Sequence, residues 1–379
     1  MGRGSTAARR EADLVRRCYA GLAVPALQAE VVRSIHALLP VDAVFFATAD
    51  PATLLFTGAV AEDPLAAATA QFLDNKFGQD DVNKFSSLAV DVRHVATLDA
   101  ATRGRRADSP RYSEIMSPLG LGDELRAALV TPAGCWGYLC LHRADSPHGF
   151  TPAEVRLIGR LAHHIGNACR HSLPGPGGTG VATAAPGVVI LHPDLTVAAV
   201  TAEAEWWLAQ IADRAPDPGR LPVAVYAVAA RLQGIDTGTA RPGATATARV
   251  PSTAAGWLLV HASHLSSEAG DDIAIVIEPA PPGNVAPLLL SSRGLTPRER
   301  DVALLVLRGA STRVIAAELH LSAFTVKDHL KSIFDKLGVR SRRDLVAHVL
   351  AGQPNTPLPQ RGPTPARAIT STADERSRP

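Results

Sequence analysis

The stretch "TVKDHLKSIFDKLGVRSR", residues 325–342, places Lys327, Lys331 and Lys336 within ten positions, although the chain of 379 residues holds only five lysines against thirty-three arginines. Side chains four residues apart are neighbours on a helix. Two ammonium groups so placed can donate to guanine edges or pair with phosphates. Asp328 stands between them. A carboxylate there repels phosphate unless it accepts a hydrogen bond, as from cytosine N4; the alternative is an i,i+3 pair that only orients Lys331. This is the chemistry of reading a polyanion, not of breaking bonds.

The elements that must position these groups are written around them. Val326, Leu330, Ile333 and Leu337 recur at i, i+4, i+7 and i+11, one apolar stripe of a helix, and Lys327, Asp328, Lys331 and Asp335 fall on the opposite side. Ser322 caps this helix and Gly338 stops it. Upstream, Thr296-Pro297-Arg298-Glu299 spells a capping box with Pro at N1, opening a helix that ends at Gly309. Ser311 caps a short helix, "STRVIAAELH", whose expected inner face is Val314, Ile315, Ala317 and Leu319. Ser341-Arg342-Arg343-Asp344 spells a second capping box, for a fourth helix. Two short helices joined by a tight turn, here over 311–330, form a helix-turn-helix, whose second helix buries one face and offers the other to the major groove. The N-terminus of that helix adds its own affinity for phosphate. Lys336 turns to the helix flank, where it is expected to meet only phosphate or solvent.

Charge supports the same partition. Residues 291–350 hold eleven Lys/Arg against six Asp/Glu, a balance of +5, while residues 1–290 carry −5 and residues 351–379 carry +2. Only the C-terminal sixty residues look prepared for nucleic acid. The run 295–350, from "LTPRE" to "LVAHVL", resembles LuxR-type helix-turn-helix domains over its full length. The resemblance rests on the LTPRE opening, Gly309, the Ile315-Ala316 pair, the TVK at 325–327, His329 and the LGVRSR run. It implies double-stranded promoter DNA as partner. By it Lys327, Asp328 and Lys331 face bases, Thr325 and Arg313 contact phosphate, and His329 packs beside the inner stripe. It also implies a homodimer on DNA, formed through Leu345, Val346 and Val349 of the last helix.

The chain ahead of this segment reads as two α/β units. "ALQAEVVRSIHALLP" and "PLAAATAQFLDNKFG" have helical spacing, "DAVFFATAD" reads as a strand, and "LRAALVTPAGCWGYLCLHR" as two strands turning at Pro132–Gly134. Thr151, Pro152 and Glu154 then open an amphipathic helix. "WGYLCLHRADSPHGFTPAEVRLIGRLAHHI" (136–165) resembles the end of a GAF domain, a family that commonly senses small molecules. Residues 187–279 give the order β-β-α-α-β-β-β, with one helix ending at Gly234, and resemble a PAS-like sensor. The expected architecture is therefore multidomain. An α/β GAF-like domain occupies 1–172 and a smaller α/β PAS-like domain 187–279. An all-α four-helix helix-turn-helix domain occupies 291–353. Pro/Gly-rich linkers fall at 173–186 and 280–290, and a disordered tail at 354–379. No internal repeat is visible in the sequence.

Other chemistries lack their residues. Gly175–Gly180 spells GxGxxG, but a helix precedes it and no long helix can follow, so it is not a dinucleotide site. Neither GxSxG, HExxH, a phosphate loop nor a paired-Cys zinc motif occurs, which argues against an enzyme. Cys18, Cys135, Cys140 and Cys169 are too few and scattered for a disulfide framework and read as buried thiols. Cys135, Cys140, His163, His164 and Cys169 have ligand chemistry but no zinc spacing, so neither metal nor cofactor is expected. Trp136, Tyr138, Trp206 and Trp207 could line a pocket but more simply fill cores. The acidic residues of a phosphorylated receiver and the aromatic pattern of autoinducer receptors are not evident. No apolar run spans a membrane and the N-terminus has no secretory signal, so a cytoplasmic location is expected; Met1-Gly2 with Thr6 fits a myristoylation pattern only formally. The reading is a non-enzymatic, sequence-specific transcriptional regulator whose N-terminal domains sense an unidentified signal, with a small-molecule ligand as one candidate. An adaptor with a vestigial DNA-binding part is the other reading.

Overall fold

A computed structural model describes residues 2–145, 149–174, 185–211, 221–267 and 270–350. The N-terminal unit runs α1 (Gly2–Cys18), α2 (Val24–Leu38), β1 (Ala43–Ala49), β2 (Phe56–Ala61), α3 (Thr69–Gly78), α4 (Phe85–Leu88), β3 (Val95–Thr97), α5 (Leu98–Ala101), β4 (Leu121–Thr131), β5 (Gly134–Ala144) and α6 (Pro152–His171). Its antiparallel sheet has the order β2-β1-β5-β4-β3. The β4–β5 hairpin closes where Pro132–Gly134 predicts, with Thr131 paired to Gly134. α6 opens on a capping box in which Thr151 and Glu154 satisfy each other's backbone N–H. Its apolar stripe, with Leu27, Val31 and Ile35 of α2 and Leu14 of α1, covers one face of the sheet.

The second unit repeats that plan. β6 (Gly187–Leu191), β7 (Val197–Val200), α7 (Ala202–Gln210), α8 (Val223–Asp236), β8 (Thr247–Ser252), β9 (Gly256–Ser267) and β10 (Gly270–Pro279) form a sheet of order β7-β6-β10-β9-β8. Numbered within each unit, both sheets read 2-1-5-4-3, with helices inserted between the second and third strands. An architectural repeat thus exists without a sequence repeat. α8 does not stop at Gly234 but continues to Asp236, because Gly234 is there for contact rather than termination: a Cβ at this position would lie 2.9 Å from the Phe77 carbonyl oxygen of α3.

The two units share one core. Phe56, Phe77, Phe85 and Tyr138 of the first pack with Val223, Val225, Val228 and the inner face of the second sheet in a continuous cluster. Polar ties cross the same seam. Thr239 Oγ1 donates to the Phe77 carbonyl at 2.6 Å, and the buried Asp50, just beyond β1, holds Arg249 of β8 in a two-pronged ion pair. Arg249 also donates to the Asn284 carbonyl at 3.0 Å.

That carbonyl belongs to a helix where a linker was expected. Residues 280–290 do not form an extended Pro/Gly connection: α9 spans Pro282–Ser292 with Pro287 inside it. Pro282 stands in the first turn, where a missing N–H is harmless, and the apolar run "VAPLLL" drives the remainder into two cores. Val285, Leu288 and Leu289 join the N-terminal core with Trp257 and Leu259, while Ala286 and Leu290 join the C-terminal one. Most of the other proposed linker, 173–186, and the tail, 354–379, lie outside the described residues.

The C-terminal unit consists of α10 (Pro297–Leu307), α11 (Thr312–Glu318), α12 (Ala323–Leu337) and α13 (Arg342–Leu350). Gly338 ends α12 at φ 66°, a left-handed cap that a side chain would strain. The inner stripe of α12, Val326, Leu330, Ile333 and Leu337, is buried as a set. For α11 the expected face needs correction. Ile315 is fully buried and Leu319 half-buried, but Val314 and Ala317 are exposed. Residues three apart share a side of the helix, and the side of 314 and 317 faces outward; Thr312, Ala316 and Leu319 flank Ile315 on the inner side.

Candidate nucleic-acid interface

α12 is held from several sides before it presents anything. Ser322 Oγ accepts the Thr325 N–H at 3.0 Å and pairs with the Thr325 hydroxyl at 2.8 Å, fixing the first turn. Thr325, expected at phosphate, is half-buried with its hydroxyl already shared in the cap. Arg342 donates to the Ala310 carbonyl at 2.7 Å and to Thr312 Oγ1 at 2.8 Å, pinning the start of α11. The start of each helix is thereby fixed, that of α11 by Arg342 and that of α12 by Ser322.

Lys336 is no bystander. Its Nζ lies 2.6 and 2.9 Å from the two carboxylate oxygens of Glu299, the residue that closes the capping box of α10. Ser332 Oγ donates to the same carboxylate at 2.6 Å. Burial alone would raise the Glu299 carboxyl, but the hydrogen bonds from Lys336, Ser332 and Thr296 outweigh it and bring it to about 2. The expectation of phosphate or solvent for Lys336 is corrected: the third lysine of the cluster ties α12 to α10. Thr-x-x-Glu read only as a local cap hid this second use of Glu299.

Exposed on the outer arc of α12 stand Lys327, Asp328, Lys331 and Asp335, none with an ion-pair partner among the described residues. The i,i+3 pair between Asp328 and Lys331 is therefore not formed here. Phe324, absent from the expected set, stands on the same arc one turn before Asp328 and is 73% exposed. An aromatic ring so placed suits contact with a thymine methyl; its i−4 spacing from Asp328 was the available signal. Arg313 is exposed in the first turn of α11, and His329 is half-buried beside the stripe.

The remaining expected residues are distributed differently. Leu345 and Val349 are buried in this unit's own core, and Val346 is half-buried, so the last helix spends most of its apolar face internally. Ser341 accepts the Asp344 N–H at 3.1 Å, but the Asp344 carboxylate takes the N–H of Arg340 instead of Ser341, so the reciprocal half of that box is displaced by one residue. Cys135, Cys140 and Cys169 are buried and do not converge with His163 and His164. Trp136, Tyr138 and Trp207 fill cores, whereas Trp206 is 43% exposed. No helix among the described residues is long and apolar enough to cross a membrane.

Two family models match this chain: bacterial regulatory proteins, luxR family, at residues 293–349, and GAF domain at residues 25–169. The HTH-type transcriptional regulator MalT of Klebsiella pneumoniae is 42% identical over 62 residues, 16% of this chain and 7% of that relative, so the chain spans only a small part of it. Among solved structures, the GAF domain of a phosphoenolpyruvate-protein phosphotransferase from Coxiella burnetii is 15% identical and covers 45% of this chain and 96% of its own at TM-score 0.33. Escherichia coli SdiA is 11% identical, covering 90% of this chain and 96% of its own, also at TM-score 0.33. The helix that carries Lys327 and Lys331 lies within the residues that match the luxR-family model, and the first sheet unit lies largely within those that match the GAF model.

Proposed function

We propose that this protein is a sequence-specific DNA-binding transcriptional regulator, without catalytic activity of its own, whose N-terminal region answers a small molecule. The observation that carries the reading is the split of α12: its apolar stripe is buried while Lys327, Asp328 and Lys331 stand free on the opposite arc. Lys327 and Lys331 read base edges, Arg313 and the Thr325 turn contact phosphate, and a homodimer sets the half-site spacing on promoter DNA. With Leu345 and Val349 consumed internally, Val346 and the outer residues of α13 are left to form that dimer. Residues 187–279 act as a PAS-like second sensor domain, a reading supported by the strand order shared with the first unit, and 291–353 as a four-helix DNA-binding domain. The regulator works in the cytoplasm.

The test is a selection of bound sequences from a random duplex library with the full chain, followed by shift assays over a salt series. Specific sites are expected to survive competitor DNA. Lys327→Ala with Lys331→Ala should weaken binding by roughly 10- to 100-fold, by analogy with the loss of one bidentate base contact. A protein that binds all duplexes equally would leave the adaptor reading in its place.

A further inference from the structure

Beneath the seam between the two sheets lies a cavity of about 50 Å³, room for about three to five water-sized groups by the usual allowance of about 10–15 Å³ each. Phe45, Phe56, Leu65, Phe72 and Phe85 supply its apolar wall, and Val223 of α8 closes it from the second unit. Into this space reaches Lys76 of α3. Its amine is out of solvent and has no hydrogen-bond partner among the described residues. It stands 3.1 Å from the centroid of the Phe56 ring and 5.1 Å from that of Tyr138.

Charge around the amine is unbalanced. The buried carboxylates Asp81 and Glu124 are met by Arg111, at 3.3 and 2.8 Å, and Glu124 again by Arg126 at 2.9 Å. Two guanidiniums match two carboxylates. Lys76, Lys84 and Arg231 are then in excess on the same side of the core. Lys84 is satisfied by backbone carbonyls, those of Asn75 and Lys76 among them at 2.5 and 2.9 Å. Lys76 is not. Burial, and after it the nearby Arg231, Arg126 and Lys84, push its amine well below the ordinary lysine value. A cation is a poor occupant. Glu124, Cys140 and His142 lie within ligand distance of one another, yet Glu124 is engaged by two guanidiniums and burial pushes the Cys140 thiol up. His142 contributes instead a ring brought down to about 4, first by burial, with Nδ1 unpartnered.

We propose that this cavity binds a small monocarboxylate with an apolar body, its carboxylate against Lys76 and its body among the phenylalanines and Val223. The assignment rests on the reading of the N-terminal region as a small-molecule sensor and names the class it senses. The carboxylate supplies the missing negative charge, and the Lys76 amine gains a proton as it binds. Arg126 and Glu124 of β4, Cys135, Cys140 and His142 of β5, Lys84 and Arg231 also face this part of the core. The carboxylate pair already has its guanidinium partners and the thiols and imidazole stay neutral near pH 8, so the proton is taken up by Lys76. Because Val223 opens α8, an occupied cavity bears on the second unit, whose sheet packs against α9 and so reaches the DNA-binding helices.

The test is titration calorimetry on the full chain with propionate, against propionamide and propylammonium. Saturable carboxylate binding with Kd below ~1 mM is expected. The amide should bind at least roughly tenfold more weakly and the ammonium not at all. Runs at pH 8 in buffers of different ionisation enthalpy should report net proton uptake as the carboxylate binds. Lys76→Met, which removes a buried amine and should melt no lower than the parent, is expected to lose binding and proton uptake together. Val223→Trp, which fills the cavity and leaves Lys76 in place, should lose binding as well. Absence of saturable binding to the parent, equal binding of acid and amide, or undiminished binding to Lys76→Met overturns the assignment. DNA binding measured on the same preparations separates the two claims. DNA binding with no carboxylate binding removes the ligand assignment alone, and carboxylate binding with no DNA binding removes the regulator reading alone.

Discussion

The sensing region and the DNA-binding region are stabilised at opposite ends of the scale of sequence separation. In residues 295–350 the fixing contacts are caps three residues apart, Thr296 with Glu299, Ser311 with Val314 and Ser322 with Thr325, and the core is drawn from that segment and the adjoining α9. In residues 25–279 the seam depends on partners far apart in the chain, Asp50 with Arg249 and Phe77 with Thr239. Local contacts form without a large loop-closure penalty and can be read residue by residue. Distant ones exist only once both sheets are in place. The first region can therefore be written compactly in sequence, while the second is held by its assembly as a whole.

The largest expected effect breaks the distant side of that comparison. Asp50→Ala leaves Arg249 buried with its charge unanswered, a change that costs about 3–5 kcal/mol in comparable buried pairs. Hydrogen exchange should accelerate in both sheets together, since they share a core, and change least in α10–α12. Exchange confined to residues near β1 would mean that the two sheets are independent units after all.

The same contrast explains what sequence reasoning reached. The buried set of α12, the caps at Thr151, Thr296, Ser311 and Ser322 and the hairpin at Pro132–Gly134 are all periodic or short-range signals, and the structure carries each of them. β2, "FTGAVA", and the three-residue β3 escaped, because a Gly-interrupted strand and a very short edge strand leave little pattern. α9 was hidden by its prolines, which mark the start of a helix as readily as a linker. The shared core and the Lys76 cavity had no local signature, since the cavity residues alone come together from β1, β2, α3, α4, β4, β5 and α8. At the candidate interface the outward arc was legible from spacing. The Glu299–Lys336 tie was not, because it joins a cap to a helix thirty-seven residues away.

That tie supplies the next effect, and it tests whether the DNA-binding region is as local as its caps suggest. Lys336→Met should destabilise this unit by about 1–2 kcal/mol, the range for a charged hydrogen bond with part of the loss recovered by packing. The sign with pH follows from Glu299, whose carboxyl is held at about 2 in the folded chain against an ordinary value of 4.5. The stabilisation is complete above about pH 4.5 and is lost as pH falls toward 2. Acid unfolding of the C-terminal helices, followed by exchange or by circular dichroism of the parent against the variant, should begin at higher pH in Lys336→Met. Identical acid profiles would return Lys336 to the role of a solvated charge.

The smallest effect on stability is expected at Asp328, where it separates recognition from folding most cleanly. The residue is exposed and unpaired, so Asp328→Ala should shift stability by no more than a few tenths of a kcal/mol. The change should appear instead in the sites recovered from a randomised duplex library, as relaxed preference at one base pair with the flanking preferences intact. Affinity for non-specific duplexes should rise slightly, because a carboxylate that repels phosphate has been removed, and the rise should shrink as salt increases. If selectivity at every position stays as in the parent, Asp328 reads no base, and the reading surface of α12 contracts to Lys327, Lys331 and the exposed ring of Phe324.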